Sequence, residues 1–257
     1  MRRIAQKIRT IKELKAAAAP ALPVILDSLL LQRTCYETTH LDSGLSFSLH
    51  PGCGDWFTFF ECCIRQDYFP DDLHIRPGDH ILDIGGNFGA FSLLAAQKTG
   101  PTGTVYCFEP SPKSAERIRG HMAQNGMQNI RLSENAVGGT AGTIALHLHA
   151  KSALNTTQSD IDGRSSNDLK TIHVEQIAIS DVLKALPGPI AFAKIDCEGS
   201  EYEIMDHITA TDLSRINAIS IETHNVPGRN RRDILSKLED NGFNVRDGNP
   251  FIAIRAS

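Results

Sequence analysis

HILDIGGNFGAFSLLAA, residues 80–96, is the stretch from which the fold can be read. Ile81, Leu82 and Ile84 form a short apolar run with Asp83 set into it. The run breaks into Gly85, Gly86, Asn87, Phe88 and Gly89, then resumes as an apolar helix-forming segment from Phe91. Strand, glycine turn and helix, in that order, is how a Rossmann-like sheet presents a nucleotide site. Glycine suits the turn because a side chain would hold a ligand off the backbone, and because positive φ costs glycine little. A tight turn with no ligand would use the same residues, so the motif alone leaves both readings open.

Downstream, the rhythm repeats. FSLLAAQKTG reads as a helix ended by Gly100, GTVYCFEPSP as a second strand, Lys113 to Asn125 as a helix and NIRLSENAV as a third strand. PIAFAKIDCEGSE and AISIETHN supply strands four and five, separated by a helix from Tyr202 to Thr209. A helix over Arg232 to Asn241 leads into FNVRDGNPFIAIRA, a hairpin turned at Asp247 to Pro250. Alternation at this spacing predicts an α/β, doubly wound parallel sheet with helices on both faces. Between strands three and four, Thr143 to His149 and His173 to Ala178 read as further strands, and Ser180 to Leu186 as a short helix. The polar segment Ser152 to Asp168 between them reads as a surface loop, of a length that in a compact domain is more often functional or mobile than inert.

Upstream, residues 1–72 read as a helical and β extension that packs on a core domain of residues 73–257. Residues 1–32 form one or two helices broken at Pro20 and Pro23, and Cys35 to His50 a strand or hairpin. Trp56 to Asp67 is an aromatic-rich helix, read as core rather than as a roof over the site. Ile4, Ile8, Ile11 and Leu14 fall at helical spacing among Arg2, Arg3, Lys7, Arg9, Lys12 and Lys15. That amphipathic helix suits contact with the core or with a second copy in a homodimer; a membrane surface is the alternative. ALPVILDSLLL is too short to span a bilayer, and no signal peptide is expected. A net charge of −4 gives no electrostatic reason to expect a nucleic-acid partner. The six cysteines show no CxxC spacing, which suits a reduced, cytoplasmic protein.

Ligands of a doubly wound sheet lie beyond the carboxyl ends of its strands. Those ends are acidic here: Asp83, Glu109, Glu134 with Asn135, Asp196 with Glu198, and Glu222 with His224. Glu109, ending the second strand, has the two oxygens needed to accept hydrogen bonds from a ribose diol. A nicotinamide dehydrogenase would use the same acid. Its G-x-G-x-x-G turn, however, needs glycine where Asn87 stands.

DIGGNFGAFS, FEPSP, KIDCEGSE and IETHN, in that order, resemble the FkbM family of S-adenosylmethionine-dependent methyltransferases. The resemblance runs from about Ile75 to Asn225, with Gly86 where the family usually has alanine. It implies a class I methyltransferase fold, whose seven-stranded sheet ends in a hairpin that inserts one antiparallel strand. It implies that Asp83, Gly85, Asn87 and Gly89 hold the methionine and ribose end of the cofactor, with Gly86 and Phe88 in the same turn. Ser92 would bond the methionine carboxylate, Glu109 beside Pro110 the ribose, and Glu134, Asn135 and Ala136 would border the adenine.

Methylating a hydroxyl requires removing its proton, which calls for a base or a metal. Asp196 and His224, at neighbouring strand ends, are the candidate catalytic bases. Asp196, Glu222 and His224 are also a candidate ligand set for a divalent cation. Asp196 paired with Lys194, and His224 capping its strand, are the structural alternatives. The resulting expectation is O-methylation of a small-molecule or sugar-containing acceptor. An NAD-dependent oxidoreductase and a non-catalytic binding protein are the rivals.

Overall fold

The computed structural model describes residues 2–70, 72–166 and 168–256. The main sheet has seven strands: β1 (His80–Ile84), β2 (Thr104–Phe108), β3 (Ile130–Ser133), β4 (Phe192–Ile195), β5 (Ala218–Ile221), β6 (Phe243–Arg246) and β7 (Phe251–Arg255). Their spatial order is β6–β7–β5–β4–β1–β2–β3. β5, β4, β1, β2 and β3 run parallel, while β7 runs antiparallel to both β5 and β6. This is the class I methyltransferase sheet, with its inserted antiparallel strand. From β1 the chain steps outward to β3, then returns to the other side at β4. The switch point, where such sheets bind ligands, therefore lies between β1 and β4. There Asp83 pairs with Lys194 and Ile84 with Ile195.

Every residue of β4 and β5 is buried, as in a sheet covered on both faces. The covering helices include α1 (Ala90–Thr99), α2 (Pro112–Gln124), α3 (Ile179–Ala185), α4 (Glu201–His207) and α5 (Arg231–Asp240). Leu82, Ile84, Ile195, Ile204, Ile219 and Leu238 belong to one apolar cluster. Ile81, Phe91, Val105, Ile118 and Phe192 belong to another, which extends into Leu14, Phe47, Leu49, Phe59 and Phe60. The N-terminal segment thus shares its core with one face of the sheet. Each such fully buried side chain stabilises the fold by about 1.5–3 kcal/mol.

Within that segment, helices Arg2–Ala17 and Ala21–Ser28 are separated at Pro20. Pro23 does not break the second helix, because it sits in the first turn, where its missing N–H would have no partner. Tyr36–His40 and Ser46–Leu49 form a hairpin edged by Ala18–Ala19. Asp55–Phe59 is helical and continues as a π-helical turn over Phe60–Arg65. The aromatic stretch divides its work: Phe59 and Phe60 are core, whereas Trp56 and Phe57 line the main cavity.

Two further expectations change. NIRLSENAV is not one strand: Ala136–Gly138 leaves the main sheet and joins Gly142–Leu148 and Lys170–Ala178 in a three-stranded sheet. Ser152 to Asp168 is not a loose surface loop, since Thr156 and Ser166 are buried. The Thr156 hydroxyl donates to the Glu198 carbonyl, and the Asp162 and Asn225 backbones bond across the site. Some of its polar side chains, Thr156 and Thr157 among them, meet the exit of β4 rather than water. All six cysteines are unpaired, and among the described residues no helix is long and apolar enough to cross a membrane.

Candidate active site

The turn after β1 closes against its neighbours. Gly85 has φ of +87°, and a Cβ there would stand 1.7 Å from the Asp196 carbonyl oxygen. A Cβ on Gly86 would meet the Cys107 Sγ at 2.4 Å. Alanine at position 86, the family's usual residue, would need that sulfur to move. Asn87 also takes a positive φ, and its N–H donates to Glu109 Oε2 at 2.7 Å. The Ser111 N–H donates to Glu109 Oε1 at 2.8 Å. Burial pushes the Glu109 carboxyl up to about 7, against the pull of those two donors. Each oxygen retains a lone pair, so the carboxylate can still receive a diol.

Lys194 lies beneath the turn. Its Nζ is 3.3 Å from Asp83 Oδ1, 2.8 Å from the Gly85 carbonyl oxygen and 3.4 Å from Asp196 Oδ2. Burial would lower this ammonium, but Asp83 and Asp196 hold it above its ordinary value. Burial raises Asp83, opposed by Lys194 and by the Ser92 hydroxyl, which donates at 2.6 Å. Asp83 and Ser92 therefore satisfy each other behind the cavity wall and do not line it. Four more candidates also lie off the lining. Phe88 packs edge-on against Phe47, Gly89 faces Leu93 and Ile118, and Asn135 accepts from the Ser133 hydroxyl. Glu134 turns outward to Arg119.

On the β4–β5 side, the Tyr68 Oη is 3.0 Å from Asp196 Oδ2 and 2.5 Å from Glu222 Oε2. Tyr68 is only 4% exposed, and burial followed by these carboxylates raises its phenol. Burial pushes nearby Glu61 up to about 8, with Glu222, Asp67 and Asp196 adding to the effect.

His224 lines the cavity among carboxylates. Glu201 accepts from the Cys197 and Gly199 N–H groups and stands 3.1 Å from His224 Nδ1. His224 Nε2 is 3.6 Å from Glu198 Oε1. Burial would lower the imidazole, but the Glu201 hydrogen bond and the carboxylates of Glu201, Glu198 and Asp196 push it up to about 10. These neighbours favour the charged imidazole, the form that cannot accept a proton, whereas Asp196 faces the cavity as a carboxylate acceptor.

The expected cation ligand set does not assemble either. Among the described residues, donor atoms converge within 4.8 Å in Asp162–Glu198–His224 and in Asp196–Glu201–His224; Glu222 is in neither, being turned to Tyr68. Both sets share His224, which would have to release its ring proton to bind a cation.

These groups surround one cavity of about 540 Å³, within the range of small-molecule sites. Gly85, Gly86, Asn87, Glu109, Pro110 and Ala136 line one side, and Asp196, Glu222 and His224 the other. Sequence reading missed Glu61, Tyr68, Lys151, Ser152 and Asp162, which also line it. None of them stands at the end of a core strand, the signal that located the others.

The family model for the Methyltransferase FkbM domain matches residues 83–245. The chain belongs to the FkbM methyltransferase family. It is 27% identical over 236 residues to 31-O-demethyl-FK506 methyltransferase FkbM of Streptomyces tacrolimicus, covering 81% of this chain and 89% of that protein. A shorter match, 26% over 125 residues, is to an arsenite methyltransferase of Halobacterium salinarum, covering 45% of this chain and 30% of that one. Among solved structures, Aeropyrum pernix fibrillarin with bound S-adenosyl-L-methionine aligns at TM-score 0.43 and 12% identity, over 73% of this chain and 70% of that one.

As an FkbM methyltransferase the protein is S-adenosylmethionine-dependent, which sets aside the nicotinamide reading. The cavity fits that cofactor: a bare glycine turn, a buried acid with lone pairs to spare and a carboxylate-rich wall suit a diol and a sulfonium cation.

Proposed function

We propose that this FkbM methyltransferase methylates a hydroxyl oxygen of a small molecule in the cytoplasm, with Asp196 receiving the hydroxyl proton. The observation that carries the reading is the Asp196 carboxylate. It reaches the cavity from the end of β4, 23% exposed, between Lys194 and Tyr68. When bound, the cofactor supplies a methyl group activated by its positive sulfur. Glu109 would hold the ribose hydroxyls, and the Gly85–Asn87 turn would carry the adjoining part of the cofactor. Asp83 and Ser92 act from behind, by fixing Lys194 and α1. Orientation of the acceptor beside Asp196 then provides much of the acceleration, together with removal of its proton. His224, held by Glu201 and favoured in its charged form, would orient the acceptor side.

A small acceptor is supported by the size of the cavity, and oxygen by the name of the Streptomyces tacrolimicus relative, a 31-O-demethyl-FK506 methyltransferase. Unpaired cysteines and a net charge of −4 agree with a reducing compartment and a partner other than nucleic acid. The test is methyl transfer from labelled S-adenosylmethionine to matched hydroxyl and amine acceptors, with the product position read by mass spectrometry. Oxygen-linked product that Asp196→Asn abolishes is expected. Transfer to nitrogen alone, or full activity in Asp196→Asn, would overturn the reading.

A further inference from the structure

Tyr68 carries one phenolic proton, yet two carboxylate oxygens lie within hydrogen-bond distance of its Oη, Asp196 Oδ2 at 3.0 Å and Glu222 Oε2 at 2.5 Å. A hydroxyl donates once and accepts with its lone pairs, whereas an ionised carboxylate only accepts. If both acids were ionised, one of the two oxygen–oxygen contacts would hold no proton, and two like charges would face each other across one phenol. The contacts close as hydrogen bonds when one carboxyl is itself protonated and donates to Oη.

The surroundings identify which one. Lys194 Nζ stands 3.4 Å from Asp196 Oδ2 and lies over the Tyr68 ring at 5.2 Å, so positive charge is on the Asp196 side. Glu222 faces Glu61 and Asp196 as well as His224 and Lys194, and burial followed by Asp196 raises it. Asp83 lies behind Lys194, and Cys62 adds a neutral thiol near Tyr68.

We propose that Glu222, Tyr68 and Asp196 form a proton-sharing chain, in which protonated Glu222 donates to Tyr68, Tyr68 donates to Asp196, and Tyr68 serves as the positioning residue for an ionised Asp196. This rests on the reading of Asp196 as proton acceptor. Glu222 leaves β5, Asp196 leaves β4, and Tyr68 comes from the segment before residue 83, where the family match begins. The N-terminal segment therefore supplies a polar group to the site as well as apolar residues to the core.

The test is infrared difference spectroscopy of the full-length protein at neutral pH, joined to kinetics. Wild type minus Glu222→Gln should show the carbonyl band of a protonated carboxyl, and Tyr68→Phe should shift that band. Tyr68→Phe should also lower kcat at least ~10-fold with unchanged affinity for S-adenosylhomocysteine. Identical spectra for wild type and Glu222→Gln would overturn the proposal, and so would a carboxyl band that Tyr68→Phe leaves in place. The spectrum needs no turnover. A band without O-methylation defeats the Asp196 assignment alone, and O-methylation without a band defeats the chain alone.

Discussion

Lys194 shows what single residues do in this protein. Its ammonium is the counter-charge for fully buried Asp83 and also reaches Asp196. Removing one member of a buried pair costs about 3–5 kcal/mol, since it strands the other charge. Lys194→Met should lower unfolding stability in urea by that order, and adding Asp83→Asn should recover part of the loss. A double variant less stable than the sum of the two singles would contradict the pairing. Asp83, Glu109, Asp196 and His224 were all legible in the sequence as polar residues ending apolar runs. Their chemical states were not. Whether His224 is a base or a cation depends on Glu198 and Glu201, whose approach is fixed by the turn into α4. That approach has no signature in spacing along the chain.

Among the elements, the five parallel strands and the final hairpin were readable from the alternation of strands and helices, because each apolar run is bounded by turn residues. NIRLSENAV concealed a change of sheet, since nothing in its composition marks the switch at Glu134 and Asn135. The segment from Lys151 to Ser166 was hidden by its polarity: Ser and Thr that bond strand exits look the same as Ser and Thr that bond water. Lys151, Ser152, Leu154, Asn155, Thr157 and Asp162 line the cavity, and the Ser152 hydroxyl donates to Asn87 Oδ1 at 3.1 Å. Cofactor binding should therefore slow backbone hydrogen exchange across this segment. Exchange there that does not respond to S-adenosylhomocysteine would show that it is not part of the site.

At the scale of the whole molecule, the site holds an excess of buried acid that affects stability. Burial raises Glu109 to about 7, and Glu61 and Glu198 to about 8, from an ordinary 4.5. The folded state binds these protons more tightly than the unfolded chain does, so stability falls as pH rises from 4.5 through those values. His224, raised to about 10, contributes stability that is fully present below 6.5 and is lost towards 10. His40 and His121 are lowered by burial and act in the opposite direction, but only below 6.5. The unfolding free energy should therefore decrease between about pH 7 and about pH 9, as followed by denaturant titration. A flat or rising curve would contradict the buried acids. The most direct test of the site itself is calorimetric titration of the wild-type protein and of Glu109→Ala with S-adenosylhomocysteine. Wild type should bind, and Glu109→Ala should bind at least ~10-fold more weakly, since hydrogen bonds to a charged group are each worth about 1.5–3 kcal/mol. Absence of binding to the wild type, or equal binding by the two proteins, would show that the cavity beside the glycine turn is not the cofactor site.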